Sequence, residues 1–157
     1  MAGRIGAGRL ILWNTSPVHS GSASASVTIA TTSYDGLQIY HTDLDSTPYT
    51  NLNFWINGGT SGGQQLQVYG LLHVGTTVNA AALSVSLASL QANTWQHITL
   101  SLSSLGVANQ ANFTGFVIQS RIGAVQPVFY LDDISLISGT PTTPVTNGRS
   151  PSQSMRS

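Results

Sequence analysis

Apolar and polar residues alternate along most of the chain, with a period of two rather than the period of an amphipathic helix. Near the middle of the chain, Leu52, Phe54 and Ile56 fall on one side of an extended segment, while Asn53 and Trp55 fall on the other. Such alternation predicts half-buried β-strands. The predicted strands cover residues 23–29, 37–41, 51–57, 65–71, 82–87, 95–100, 115–120 and 128–136.

Turns rich in glycine, serine and asparagine separate these strands. Short strands at this spacing are typical of an antiparallel β-sandwich or jelly roll. The segment nearest to a helix is residues 80–90, but the alternation of Leu83, Val85 and Leu87 favours a strand there too. We therefore predict an all-β protein with one sandwich domain at residues 13–138.

The two ends of the chain depart from this pattern. Residues 1–12 lack the alternation of a leading strand, and we interpret them as an N-terminal extension that is truncated or was added by cloning. Residues 139–157 contain Pro141, Pro144 and Pro151 among threonine, serine, asparagine and glycine. A segment of this composition has no apolar face to bury, so we expect a linker or tail that joins the domain to another.

Charged residues are rare, and this excludes several classes of function. They make up 6% of the 157 residues, and lysine and glutamate are absent. Between residues 13 and 137 the chain contains all of its aspartates but only one arginine, Arg121. Nucleic-acid binding and adsorption to an anionic membrane both need clustered cations, so we expect neither. Without cysteine the chain can have no disulfide and no thiolate metal site.

Two aromatic residues fall out of phase with the apolar positions of their strands and are candidates for a binding surface. Trp55 shares the polar side of its strand with Asn53, and Tyr69 shares that of its strand with Gln67. A pyranose stacks its C–H face on an aromatic ring, while amides bond its hydroxyls without a charge to desolvate. The alternative is that a loop or third layer covers this side and that Trp55 belongs to the core. The candidate carbohydrate-binding residues are Trp55, Tyr69, Tyr34, Asn53, Gln67, Gln119 and His97.

The aspartates allow three roles that the sequence leaves open. Calcium prefers oxygen ligands, and the candidate ligands are Asp132 and Asp133, with Asp43 and Asp45 as a second pair. The alternative for Asp132 and Asp133 is turn capping and loop hydrogen bonding. Glycoside hydrolysis needs two acids across a cleft, and neither pair is obliged to face the other, so we do not expect catalysis. Zinc is not expected either, because the four histidines show no paired spacing.

Several short segments of the sequence carry motifs that are informative when they are taken together. The most specific are the glycine-rich loop Gly58-Gly-Thr-Ser-Gly-Gly-Gln64 and the segment Tyr130-Leu-Asp-Asp-Ile-Ser-Leu136. Segments 14–22, 49–59 and 94–102 accompany them. Together they resemble the β-jelly-roll carbohydrate-binding modules appended to bacterial plant-cell-wall hydrolases. The resemblance covers about residues 14–137 and implies a non-catalytic, extracellular domain that holds an enzyme on polysaccharide, often with a structural calcium ion.

The resemblance also implies roles for particular residues. In such modules the paired aspartates of the last strand commonly bind the calcium ion, and they correspond to Asp132 and Asp133 here. Aromatic residues on the sheet face or loops commonly stack on glucose units, which would correspond to Trp55, Tyr69 or Tyr34. The usual acidic partner early in the chain is not evident.

These observations lead to one hypothesis and two alternatives. We expect a monomeric, secreted module that binds β-glucan of the plant cell wall and targets an attached glycoside hydrolase to it. The expected ligands are cellulose-type β-1,4-glucan, mixed-linkage glucan and xyloglucan. The alternatives are a small glycoside hydrolase or lyase that uses paired aspartates, and a structural adhesion or spacer domain.

Overall fold

Two antiparallel β-sheets packed face to face make up the described part of the protein. The computed structural model describes residues 2–5, 9–30 and 34–139. The strands of this part are β1 (Ala2–Ile5), β2 (Arg9–Asn14), β3 (Ser24–Ile29), β4 (Gly36–Leu44), β5 (Tyr49–Asn57), β6 (Leu66–Val74), β7 (Thr77–Ser86), β8 (Trp95–Ser101), β9 (Phe113–Ser120) and β10 (Gln126–Ser138).

Each sheet has five strands. The first sheet has the order β1-β4-β9-β6-β7, and the second has the order β2-β3-β10-β5-β8. Several neighbours within a sheet are far apart in sequence, because the chain crosses repeatedly from one sheet to the other, as in β-sandwiches and jelly rolls. The prediction of an all-β antiparallel sandwich is confirmed.

The inner faces of the two sheets form the core, and they carry the residues that the alternation assigned to it. Leu52, Phe54 and Ile56 of β5 are fully buried, as are Leu66 and Val68 of β6. Burial of each such side chain contributes about 1.5–3 kcal/mol. Because successive residues of a strand point to opposite sides, burying one set directs the polar set to the outer faces, where the candidate site residues lie.

The N-terminal residues depart from the prediction. Residues 2–5 and 9–14 form strands at one edge of each sheet, so the prediction that residues 1–12 contain no leading strand is wrong. Strand β2 leaves Leu12 56% and Trp13 79% exposed. A short edge strand that buries neither side completely shows no clear alternation, and this is why the pattern missed it.

Strand β7 is longer than predicted, and its pairing with β6 is irregular. Tyr69 pairs with Ser84 but Leu71 pairs with Ala80, so β7 has extra residues at this point and forms a bulge. Leu83 lies in the bulge and is 50% exposed. The strand prediction is therefore confirmed, but Leu83 does not share a buried face with the apolar residues that follow it.

The predicted C-terminal linker, residues 139–157, lies outside the described residues except for Gly139. The backbone N–H of Gly139 donates to the carbonyl oxygen of Pro48 at 3.2 Å. Within the described ranges, no helix has the length and apolar character to cross a membrane.

Candidate functional site

The outer face of the first sheet brings tyrosines and glutamines into neighbouring rows. Pairing across β4, β9 and β6 places Gln38 beside Val117 and Val117 beside Tyr69. In the next row, Tyr40 lies beside Gly115. Adjacent strands are about 4.8 Å apart, so β4 and β6 are separated by about 10 Å. The two rows therefore form one continuous surface.

Side-chain hydrogen bonds order this surface. The Tyr40 hydroxyl donates to Gln38 Oε1 at 2.7 Å, and Gln67 Nε2 donates to Gln119 Oε1 at 2.9 Å. Gln119 Nε2 in turn donates to the carbonyl oxygen of Tyr34. A primary amide has two N–H donors and two acceptor lone pairs, so each glutamine keeps capacity for a bound molecule. The tyrosine–glutamine face is defined here as the side chains of Tyr34, Gln38, Tyr40, Gln67, Tyr69 and Gln119.

A depression lies at the Tyr34 end of the tyrosine–glutamine face. Its volume is about 260 Å³. Tyr34 is 64% exposed, whereas Val117 in the middle strand is covered by its neighbours and only 1% exposed. The surface of the depression is mainly polar, and Tyr34 and Tyr69 are the aromatic residues in its lining. The lining residues are Tyr34, Asp35, Gly36, Gln38, Tyr69, Val117 and Gln119.

Tyr69 is partly buried in this face, and its phenol stays neutral. Burial raises the pKa of Tyr69, and the neighbouring Tyr40 raises it further. Both effects disfavour the charged phenolate. The hydroxyl therefore remains a proton donor, and rings and uncharged hydrogen-bonding groups dominate the face.

Gly115 leaves the position between Tyr40 and Leu71 without a side chain. Its φ of 151° lies in a region that residues with a Cβ rarely adopt. A Cβ at this position would come within 2.0 Å of the backbone oxygen of Ile39. The path of the backbone thus requires glycine here, because the space that a side chain would need is filled by the backbone of β4.

Trp55 lies on the outer face of the second sheet, where other rings cover it. His19, in the loop between β2 and β3, stacks on the indole with a centroid distance of 3.9 Å, and His97 of β8 stacks on it at 4.9 Å. Trp95 packs edge-on against His19 at 5.6 Å. Trp55 is therefore neither part of the core nor an open platform, because the imidazole rings take up the surface that a sugar would need.

Asp132 and Asp133 tie the loop between β2 and β3 to this position. Asp132 Oδ2 accepts from the backbone N–H groups of His19 at 2.9 Å and Ser20 at 3.2 Å. Asp133 accepts from the Ser20 hydroxyl at 2.5 Å and contacts His19 Nδ1 at 2.7 Å. The bond from Ser20, followed by that from His19, lowers the pKa of Asp133. Loop hydrogen bonding, the alternative to metal binding, is the role that this geometry shows.

The same contacts do not fit calcium at Asp132 and Asp133. Calcium takes about six to eight oxygen ligands, whereas N–H and O–H donors surround these two carboxylates. Among the residues that the structure describes, no three aspartate, glutamate, histidine or cysteine side chains lie close enough together to hold a metal ion.

The second predicted pair, Asp43 and Asp45, does not converge on one point. Asp43 contacts His73 Nδ1 at 3.2 Å, and Asp45 Oδ1 accepts from the Thr47 backbone N–H at 2.9 Å. Hydrogen bonds from Thr47, the hydroxyl first and the N–H second, lower the pKa of Asp45. Each carboxylate thus has a local partner of its own.

The predicted carbohydrate-binding residues divide between the two sheets. Those on the tyrosine–glutamine face are Tyr34, Gln67, Tyr69 and Gln119. Those on or beside the outer face of the second sheet are Trp55, Asn53 and His97. No single platform therefore contains both Trp55 and Tyr69.

Sequence reasoning missed Gln38 and Tyr40, although a signal was present. In β4 they alternate with Leu37 and Ile39, which are buried, and so they occupy the polar phase of their strand. The segment Gln38-Ile39-Tyr40 repeats the glutamine–apolar–tyrosine order of residues 67–69. Comparing the polar phases of different strands with one another would have found the pair.

Comparisons with known proteins give matches in fold and none in sequence. No family model matches the chain. No curated protein matches it either. Solved structures, in contrast, match over most of its length.

Three of these structures illustrate the likeness. The family 30 carbohydrate-binding module of the cellulosomal cellulase Cel9D-Cel44B of Clostridium thermocellum has a TM-score of 0.66 and 14% identity, over 87% of this chain and 90% of that chain. A family 11 module from Clostridium thermocellum, in complex with a β-1,3-1,4-mixed-linked tetrasaccharide, has a TM-score of 0.63 and 13% identity, over 88% and 85%. The CBM22-1 xylan-binding domain of Paenibacillus barcinonensis Xyn10C has a TM-score of 0.62 and 12% identity, over 88% and 86%. The chain has the jelly-roll fold of these carbohydrate-binding modules.

Proposed function

We propose that this protein is a non-catalytic module that binds β-glucan chains on its tyrosine–glutamine face. The observation that carries the proposal is the repeated arrangement of Gln38 with Tyr40 and Gln67 with Tyr69 on strands of one open sheet face. A glucan chain has apolar C–H faces and hydroxyl edges, and the rings and amides of this face complement both. The expected ligands are cellulose-type β-1,4-glucan, mixed-linkage glucan and xyloglucan.

The size of the face sets the affinity to expect. Two stacked rings contribute about 1 kcal/mol each beyond area burial, and a few hydrogen bonds contribute about 1 kcal/mol each. A sum of this size gives micromolar affinity at best, since a Kd of 1 µM corresponds to about 8.2 kcal/mol. Such binding suits a domain that retains an attached enzyme near its substrate without fixing it there.

The setting of the module follows from the same proposal. The similar family 30 module belongs to a cellulosomal cellulase, and the proline- and threonine-containing segment 139–157 has the composition of a linker. We infer a secreted protein in which the module directs a glycoside hydrolase domain to the plant cell wall.

The test is retention of the protein in native gels that contain barley mixed-linkage glucan, hydroxyethylcellulose, xyloglucan or xylan. The unaltered protein should be retarded by at least one of the first three polymers. Tyr69→Ala should weaken that retention about fivefold, because it removes one of the two stacking rings and with it about 1 kcal/mol. Trp13→Ala, which removes a 79% exposed aromatic ring from β2, serves as the matched control and should bind normally.

Two results would overturn the proposal. Retention that survives Tyr69→Ala unchanged would show that the sugar lies elsewhere. Release of reducing ends from any of the polymers, abolished by an aspartate-to-asparagine change, would show an enzyme rather than a binding module.

A further inference from the structure

A second pocket is built from the two motifs that the tyrosine–glutamine face does not use. Its volume is about 400 Å³, against about 260 Å³ for the depression on the first sheet. The glycine-rich loop contributes Gly59 and Thr60 to it, and the segment 130–136 contributes Tyr130. The lining residues are Ser16, Pro17, Asn57, Gly59, Thr60, Asn93 and Tyr130.

Tyr130 gives this pocket an aromatic wall beside an amide. Pairing across β10, β5 and β8 places Tyr130 beside Asn57 and Asn57 beside Trp95. Asn57 Oδ1 accepts from the Gly59 N–H at 2.9 Å. This bond fixes the orientation of the amide and keeps its N–H groups as donors.

The chemistry of the lining points to an uncharged, hydroxyl-rich ligand. None of the seven lining residues carries a charge. Ser16 and Thr60 offer hydroxyls and Asn93 offers a second amide, and each of these groups can both donate and accept a hydrogen bond. An anion or cation would find no oppositely charged group in this lining, whereas a sugar would find a ring to stack on and groups to bond its edge.

The pocket is already formed in the free protein. The fully buried Gln64 donates from Nε2 to the carbonyl oxygens of Gly58 at 2.8 Å and Val128 at 2.9 Å. The Asn93 N–H donates to the carbonyl oxygen of Gly59 at 2.6 Å. These bonds join the glycine-rich loop to β10 and to the loop before β8, so little ordering is left to oppose binding.

The glycine at position 59 sets the shape of the wall. Its φ is 61°, and a Cβ there would lie 2.6 Å from the Val128 backbone oxygen and 3.4 Å from Tyr130 Cε2. Glycine therefore allows the backbone to pass directly beside the tyrosine ring.

We propose that this pocket is a second carbohydrate site, which takes the terminal mono- or disaccharide unit of a neutral glycan stacked on Tyr130. Its walls come from β5, β10 and the loops β2–β3, β5–β6 and β7–β8. An end or branch of a chain can enter between these loops without threading. The site shares no residue with the tyrosine–glutamine face, so each of the two proposals can fail without the other.

The experiment is a ¹H–¹⁵N NMR titration with cellobiose, laminaribiose, xylobiose and mannobiose, each to about 10 mM, so that a Kd of about 1 mM, equivalent to about 4.1 kcal/mol, is within reach. At least one disaccharide should shift the backbone amides of Gly59, Thr60 and Asn93. Tyr130→Ala should weaken this binding at least tenfold, and Tyr130→Phe should preserve it, because the ring is retained. Tyr69→Ala is the matched control and should leave these shifts unchanged.

A second variant tests the pocket independently, in case Tyr130→Ala does not fold. Thr60→Arg places a long side chain at an exposed position of the pocket and should also abolish the shifts of Gly59 and Asn93. Shifts confined to Gln67, Tyr69 and Gln119 would overturn the second site and leave the proposed function intact. Shifts confined to the pocket amides would support the second site and count against the tyrosine–glutamine face. No shift of the pocket amides with any of the four disaccharides would reject the second site.

Discussion

The outer faces of the two sheets carry similar residues but differ in what covers them. On the first sheet, Tyr40 and Tyr69 project beside glutamines, and no aromatic ring from the loops that the structure describes stacks on either of them. On the second sheet, Trp55 projects in the same way, but His19 lies 3.9 Å above it and His97 4.9 Å from it. An outward aromatic residue is thus a candidate binding surface only where the rest of the chain leaves its ring free.

The cover over Trp55 is held by specific bonds rather than by chance contact. The loop between β2 and β3 is attached to β10 through Asp132 and Asp133, which together accept from His19 and Ser20. The tyrosine–glutamine face has bonds of a different kind, which run between its own side chains and orient them. The contacts of Asp132 and Asp133 thus hold a loop over the outer face of the second sheet. The contacts within the tyrosine–glutamine face orient its side chains and leave the face uncovered.

Among the variants that test this difference between the two outer faces, Trp55→Ala should have the largest effect. Removing the indole leaves His19 and His97 without the ring between them, so we expect a loss of about 2 kcal/mol in the free energy of unfolding, or roughly 4–8 °C in Tm. Glucan affinity should stay within twofold of the unaltered protein. Thermal unfolding and gel retention measure the two effects separately.

The control for this prediction is Trp13→Ala, which removes a ring that is 79% exposed and should leave Tm nearly unchanged. If Trp55→Ala instead abolished glucan retention with an unaltered Tm, the loop would have to open in solution, and the second sheet would be the binding face.

A smaller change, on the first sheet, is Tyr40→Ala. It removes one ring and the hydrogen bond to Gln38, and we expect glucan affinity to fall about fivefold, equivalent to about 1 kcal/mol. Tyr40→Phe keeps the ring and loses only the bond of 2.7 Å to Gln38, so its affinity should fall about twofold or less. Isothermal titration with a mixed-linkage glucan oligosaccharide measures both variants.

The order of these two variants is the informative result. Equal losses for Tyr40→Ala and Tyr40→Phe would mean that the hydroxyl, through the orientation of Gln38, matters more than stacking. No loss in either would remove β4 from the binding face and confine the ligand to β6 and β9.

The core and the strands were predictable because they depend on local alternation. Leu52, Phe54 and Ile56 repeat every second residue, and burying one side of a strand requires nothing more than that pattern. The same reasoning correctly assigned Tyr69 to an outer face. It missed β2, whose exposed Leu12 and Trp13 at a sheet edge show no buried side to detect.

The accessibility of Trp55 was not predictable in this way. The N–H of His19 bonds to Asp132 across 113 positions of sequence, and no local pattern encodes which loop returns over which strand. For the same reason the paired aspartates could be assigned either to a metal or to a loop from the sequence. In the structure, N–H and O–H donors surround both carboxylates, and these donors come from residues far away in the sequence as well as from the adjacent backbone.

A still smaller effect tests the attachment of the covering loop through pH. The folded-state pKa of Asp133 is lowered, so its contribution to stability is present above the unfolded-state value of about 3.9 and is lost as pH falls through the folded value. Asp133→Asn should therefore lower Tm at pH 7, by the equivalent of less than about 1 kcal/mol because the carboxylate is exposed and screened. The difference from the unaltered protein should shrink in acid.

Ser20→Ala provides the matching variant, since the Ser20 hydroxyl is the largest cause of the lowered pKa of Asp133. It should reproduce part of the Asp133→Asn effect and show the same decrease toward low pH. A Tm difference that is constant from pH 7 to acid would mean that the charge of Asp133 does not hold the loop.

The smallest expected effect is that of salt on glucan binding. The stacking rings and amides of the tyrosine–glutamine face carry no charge, and raising the ionic strength to 1 M shortens the Debye length to about 3 Å without weakening such contacts. Titrations at low and high salt should therefore give the same Kd within error. A Kd that rises with salt would indicate that a charged side chain contributes to binding. The candidates are Asp35, which lines the depression, and Arg121, which bonds to Gln65 at 3.0 Å. The ligand would then have to carry a charge, and a neutral β-glucan could not be the principal partner of this face.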